Sequence, residues 1–147
     1  MNTQDFRSIV EDILAKHDLA GLNRMCEQVI ALEPEVNIVA YWIRDSNDVI
    51  NIVWLTPLGI YDISWFPTPD QSAFNYVPLR NFLSFEVRRL KDVSQYFGHK
   101  VKGDVIVVAY CQPHSPNLLW VADTKKQTNE LEGFFSHVFA SYRSLTE

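Results

Sequence analysis

Near the end of the chain, Leu131, Phe134, Phe135, Val138, Phe139 and Tyr142 recur at the i, i+3, i+4 spacing of a single helix face. Four aromatic rings on one stripe need a large apolar surface to cover them, and an isolated helix has none. Asp123 or Thr124 stands where an N-cap would open this helix. The covering surface must come from the residues before it, where β-branched and aromatic side chains dominate and the period becomes that of extended chain. Runs at 36–44, 49–55, 60–66, 72–78, 82–90, 104–111 and 118–122 read as seven strands. Turn-forming residues separate them: Asp45, Ser46, Asn47 and Asp48, then Pro57 and Gly59, then Pro67, Thr68, Pro69 and Asp70, then residues 113–116. A curved sheet crossed by the terminal helix buries both apolar faces at once. The expected class is α+β, with mostly antiparallel strands closed by a long amphipathic C-terminal helix.

The first third of the chain follows a different period. Phe6, Ile9, Val10, Ile13 and Leu14 lie on one helix face, with Thr3 or Asp5 available as a cap. Leu19, Leu22, Met25, Cys26, Val29 and Ile30 repeat the pattern, and Glu33 and Pro34 end it. Asp18 offers a restart, while Gly21 leaves open whether the segment is one helix or two. The chain of 147 residues is expected to form a single domain, 1–147, with 1–34 as a helical N-terminal extension. There is no repeat of about 20 to 50 residues and no linker-like tract.

Seven strand-like runs followed by one amphipathic helix resemble, in that order, the pleckstrin-homology-like (PH-like) superfold. The resemblance covers 36–144 and rests on element order. It implies two near-orthogonal sheets forming a barrel, or a strongly bent sheet, capped by the C-terminal helix, and it makes the two leading helices an addition. Where such domains often carry a tryptophan in the capping helix, this chain has phenylalanines and Tyr142. Many of them bind phosphoinositides through lysines and arginines around the first hairpin. Here that hairpin is Arg44, Asp45, Ser46, Asn47 and Asp48, whose two carboxylates against one guanidinium would repel a phosphorylated headgroup. A second arrangement, the helix-grip fold of START-like carriers, would hold an apolar ligand beneath the C-terminal helix, although a strand normally precedes its short helices. An α/β sandwich with helices on one sheet face also fits the pattern.

Charge narrows the function. A net charge of −5 argues against a general nucleic-acid binder. Its distribution is polar: residues 1–40 hold three basic against seven acidic residues, net −4, and residues 80–102 hold six against two, net +4. The basic residues of the second segment are Arg80, Arg88, Arg89, Lys91, Lys100 and Lys102. Strand alternation within it sets Leu83, Phe85 and Val87 against Ser84, Glu86 and Arg88. Arg89 then falls on the apolar side, so the strand ends or bulges before it, or Arg89 reaches a partner from the core face.

Catalytic signatures are missing. There is no G-x-S-x-G elbow, phosphate loop, G-x-G-x-x-G or H-E-x-x-H. Cys111 and His114 form a C-x-x-H pair, but zinc would need two further ligands from His17, His99, His137 or Cys26. A Cys111 nucleophile is opposed by the run 105–110, which looks buried on both faces. Two cysteines are too few for a disulfide framework and read as buried thiols. The N-terminus lacks the basic start and apolar block of a secretory signal, and the nearly uncharged stretch 49–61 is too short and broken to cross a bilayer, so a cytoplasmic protein is expected. No metal or cofactor is expected. The reading that results is a non-catalytic module that binds a protein or peptide through the basic strand and a sheet edge, with self-association of two oppositely charged faces as a further expectation. Trp42, Trp54, Trp65 and Trp120 all lie in expected strands, as core or as interface anchors.

Overall fold

A computed structural model of the chain describes residues 3–32, 37–67 and 70–146. It is α+β, as the pattern requires, and every strand pairing is antiparallel. Helices α1 (Thr3–Lys16) and α2 (Ala20–Leu32) are separate. Asp18 takes a left-handed φ of 59°. Its N–H donates to the Ala15 carbonyl at 3.1 Å, and Leu19 N–H reaches back to the Leu14 carbonyl at 2.7 Å, which together make a Schellman ending. The expected helix stop at Glu33 and Pro34 lies outside the described residues, as does Val36.

Strands β1 (Ala40–Asp45), β2 (Ile50–Leu55), β3 (Gly59–Pro67) and β4 (Asp70–Pro78) form a four-stranded meander in chain order. The first strand thus starts later than the run at 36–44, and residues 37–39 are irregular. Ser46 closes the first hairpin by donating its hydroxyl to the Val49 carbonyl at 2.8 Å and accepting Val49 N–H at 3.1 Å. At the next turn a Cβ on Gly59 would stand 2.6 Å from the Val77 carbonyl oxygen, so no side chain fits. After a 3-10 turn at Leu79–Asn81, β5 (Phe82–Arg89) begins a second sheet. Two short strands, β6 (Ser94–Tyr96) and β7 (His99–Val101), pair only with each other. Then β8 (Val105–Cys111) and β9 (Leu118–Ala122) complete the sheet in the order β5-β8-β9.

Two details depart from the pattern. The β6–β7 hairpin was not foreseen, because three residues per strand are too few to show a period. Its loop is Phe97 and Gly98, with φ of 53° and 82°, the two positive values of a tight primed turn. In β5 a bulge falls between Phe82 and Ser84. It turns Phe82 into the core and leaves Leu83 outside, so Leu83 does not share the buried face with Phe85.

Helices α1 and α2 cover one face of the meander, where Phe6, Val10, Leu14, Leu22 and Cys26 pack on Ile50, Ile52, Trp54, Tyr61 and Ile63. The second sheet meets the opposite face along its β9 edge. Its own two faces are covered differently. On one lies α3 (Lys125–Thr146), with Leu131, Phe134 and Val138 buried among Trp42, Val53, Val107 and Trp120. On the other lies the β6–β7 hairpin, with Val101 against Ile106, Val108 and Val121. Among the described residues the strands do not close into a barrel; they form separate sheets of four, three and two strands. Thr124 caps α3 as expected, accepting Gln127 N–H at 3.1 Å, and Gln127 Oε1 accepts Thr124 N–H at 3.4 Å and Asp123 N–H at 2.8 Å. No helix among the described residues is long and apolar enough to cross a membrane.

What joins the two sheets is a row of polar side chains. Arg44, Asn51 and Ser64 are register partners across β1, β2 and β3. Asn51 donates to the Leu119 carbonyl at 3.2 Å and accepts Val121 N–H at 3.3 Å, while Arg44 donates to the Val121 carbonyl at 2.9 Å. The outer edge of β9 is therefore satisfied by side chains in place of a strand. Replacing Asn51 with Ala strands two buried backbone groups of β9. Urea unfolding should register a loss of about 2–4 kcal/mol, and a loss under about 1 kcal/mol would mean that packing alone holds the sheets together.

Candidate functional site

Arg80, Arg88, Arg89, Lys91, Lys100 and Lys102 are all exposed. They are spread over the 3-10 turn, the end of β5 and the β6–β7 hairpin. Arg88 is held by Glu86 at 2.9 Å and lies over the Tyr96 ring at 6.0 Å. Arg89 pairs in register with Val105 at the end of the sheet, where its side chain is 82% exposed and 3.7 Å from Asp104. It therefore shares the side of Phe85 and Val87 without entering the core, as a solvated strand end. Two of the six charges are thus already matched by carboxylates, a pairing that residue counts along the chain do not reveal.

The same strand carries a second feature. β5 is the outer strand of its sheet and, among the described residues, pairs with β8 alone. Leu83 and Val87 are 58% and 55% exposed along it, and Phe139 of α3 is 42% exposed beside it. From Phe85, on the Val87 side of the strand, an aromatic series runs onto the helix: Phe85 meets Phe135 at 5.4 Å and Tyr142 at 5.6 Å, and Phe135 meets Phe139 at 6.0 Å. The free edge thus adjoins an apolar surface that continues onto the helix.

A cleft of about 640 Å³ opens elsewhere, between β3, β4, the start of β9 and the tip of the β6–β7 hairpin. Asp62 lies at its floor, 1% exposed. Its carboxylate accepts the Ser64 hydroxyl at 2.7 Å and the Trp120 indole N–H at 2.7 Å. Burial pushes the acid up from 3.8 to about 6, against the opposing pull of those two neutral donors. On the hairpin side, His99 stacks on Phe66 with ring centroids 4.0 Å apart. His99 Nδ1 has no hydrogen-bond partner among the described residues, and burial lowers the basicity of the ring. Asn75, Asn117 and the exposed Phe97 complete the walls.

Sequence reasoning missed this cleft. Asp62 and Ser64 alternate with Tyr61, Ile63 and Trp65, the pattern of a strand with one solvated face. Here the polar face is the one covered by β9. The available signal was that Arg44, Asn51, Asp62, Ser64 and Asn75 all fall on one side of the first four strands, a polar row too continuous for an ordinary surface.

The C-x-x-H pair is not assembled into a site. Cys111 is buried, its thiol directed at the Ala109 carbonyl at 3.7 Å, and burial pushes it up to about 11; His114 is exposed in the turn that follows. Among the described residues there is no group of three or more His, Cys, Asp or Glu side chains that could hold a metal. At the first hairpin, Asp45 accepts from Lys16 at 3.1 Å and contacts His17 at 2.6 Å. Burial alone would raise Asp45, but these hydrogen bonds outweigh it and hold the carboxyl below its usual range. Trp42, Trp54 and Trp120 are core, and Trp65 is half-buried beside His17. Against known proteins, no family model matches the chain, and neither does any curated protein or solved structure.

Two measurements follow from these environments. An acid raised in the folded state makes folding more favourable as pH falls through its folded value, because the native protein takes up the proton before the unfolded chain does. For Asp62, raised from 3.8 to about 6, lowering pH from about 7 to 5 should stabilise the wild type relative to Asp62→Asn by about 1 kcal/mol in urea unfolding. His99, with lowered basicity, acts in the opposite sense below its usual value but is common to both proteins and cancels. A flat difference would mean that the carboxylate is not buried. Cys26 and Cys111, both pushed up to about 11 by burial, should resist a thiol reagent in the native protein and react at the rate of unfolding.

Proposed function

We propose that this protein is a non-catalytic interaction module that takes an extended segment of a protein partner along the free edge of β5, with the partner's side chains resting on the adjoining face of α3. The observation that carries this reading is the edge of β5, unpaired among the described residues, with exposed Val87 and Phe139 beside the aromatic series that starts at Phe85. An edge strand supplies backbone donors and acceptors for an added strand, and alternate side chains of that strand would fall into the apolar groove. Lys91 just past this edge and Arg80 in the 3-10 turn before it favour an acidic segment, as do exposed Arg88 and Arg89, whose charges Glu86 and Asp104 offset only in part, and Lys100 and Lys102 extend the basic character onto the hairpin. The PH-like reading is also proposed, supported by a four-stranded meander, a second sheet and one C-terminal helix, with the β6–β7 hairpin set between the first two strands of that second sheet. A carrier role has less support, because Leu131, Phe134 and Val138 fill the space beneath α3 with side chains of the two sheets.

A peptide library selected against the wild type tests the proposal. Selected peptides should slow hydrogen exchange in β5 amides and bind about 10-fold more weakly to Val87→Glu combined with Phe139→Glu. Arg88→Glu with Arg89→Glu should weaken acidic peptides selectively. Peptides whose footprint falls away from β5, or that bind the folded double variants unchanged, would remove this edge as the site.

A further inference from the structure

We propose that the cleft between β3, β4, β9 and the β6–β7 hairpin is a binding site for a small organic cation, an amine or amidine on a flat apolar body, with Asp62 as its counter-charge. This site is independent of the β5 edge.

Among the described residues lining the cleft, Asp62 is the only carboxylate, and Lys and Arg are absent. Its two hydrogen-bond partners, Ser64 and Trp120, are neutral. They use two of the roughly four lone-pair positions of a carboxylate. The groups facing Asp62 are neutral from every side: its register partners Val53 on β2 and Asn75 on β4, Ser64 on its own strand, Trp120 on β9, and the low-basicity His99 on the hairpin. The buried guanidinium of Arg44 donates to the Val121 carbonyl and lies 4.0 Å from the Asp123 carboxylate. With burial raising the acid to about 6, it is mostly ionised at neutral pH and has no ion partner among the described residues. A buried carboxylate in that condition gains strongly from a cation brought to it, and repels an anion.

The apolar walls suit the same ligand. Phe66, stacked on His99, and Phe97 line the cleft, and aromatic rings attract cations. Phe97 holds a left-handed φ of 53°, an unfavourable conformation for a bulky residue, and is half-exposed at the cleft. Asn75 and Asn117 supply neutral polar groups for orientation. The volume of about 640 Å³ lies inside the range of roughly 300–1,000 Å³ typical of small-molecule sites.

The test is a two-dimensional amide NMR titration of the full chain with benzylamine and benzamidine, set against benzyl alcohol, benzoate and methyl glucoside. At about pH 7.5 the two amines should give saturable shifts at Ser64, Asn75 and Asn117, with the neutral and anionic compounds at least about 10-fold weaker. Amine affinity should fall about 10-fold by about pH 5, as Asp62 takes up a proton and the competent fraction drops. Asp62→Asn should abolish both the binding and its pH dependence. Should that variant fail to fold, Phe97→Ala, at an exposed turn, should keep the fold and weaken the amines several-fold. Benzyl alcohol or methyl glucoside binding as tightly as benzylamine, affinity unchanged by pH, shifts located away from the cleft, or no saturable shift with either amine would each overturn the assignment.

Discussion

The placement of the second sheet rests on how the β9 edge is closed. A buried strand edge leaves backbone N–H and C=O groups without water or partner, and this chain meets them with Asn51 and Arg44. An asparagine amide carries N–H donors and a carbonyl acceptor in the same plane, so one donor and the acceptor substitute for one residue of a neighbouring strand, and the second N–H is left for Ser64. That substitution lets the second sheet rise from the face of the first instead of continuing it. Both faces of the second sheet then need cover, and α3 and the β6–β7 hairpin provide it. The cleft, the hairpin and the outward position of β5 all follow from this one junction.

The polar row that makes the junction also links the two surfaces singled out above. Asn51 donates to Ser64, Ser64 donates to Asp62, and Asp62 accepts from Trp120. The Trp120 ring meets Phe134 of α3 edge-on at 5.5 Å, and the next residue, Phe135, lies against Phe85 of β5. A continuous series of hydrogen bonds and ring contacts therefore runs from the cleft floor to the β5 edge. Each member is buried or half-buried, so few can move without disturbing the next.

The features legible in the sequence were those whose signal is local and repeated. The α3 stripe, its Thr124 cap and the strands at 118–122 and 82–90 were readable because each residue's period agrees with its neighbours'. Asp18 marked a helix restart for a comparable reason, since it tolerates the left-handed turn. Other features depended on cover from distant segments. Asp62 and Ser64 have the alternation of a wet strand face, and only β9 makes that face dry. The Leu83 bulge is set by pairing with β8, which no property of residues 82–89 announces. The charges of Arg88 and Arg89 looked available because Glu86 and Asp104 become their partners only on folding.

The bulge at Leu83 has a further consequence, for the behaviour of many copies at once. A straight outer strand with uniform spacing can pair with its own duplicate and begin an open-ended stack of sheets. The extra residue breaks the repeat that such a stack requires, and Arg88 and Arg89 place like charges at the far end of the same strand. One irregular residue in the outer strand thus works against polymerisation of the chain with its own copies.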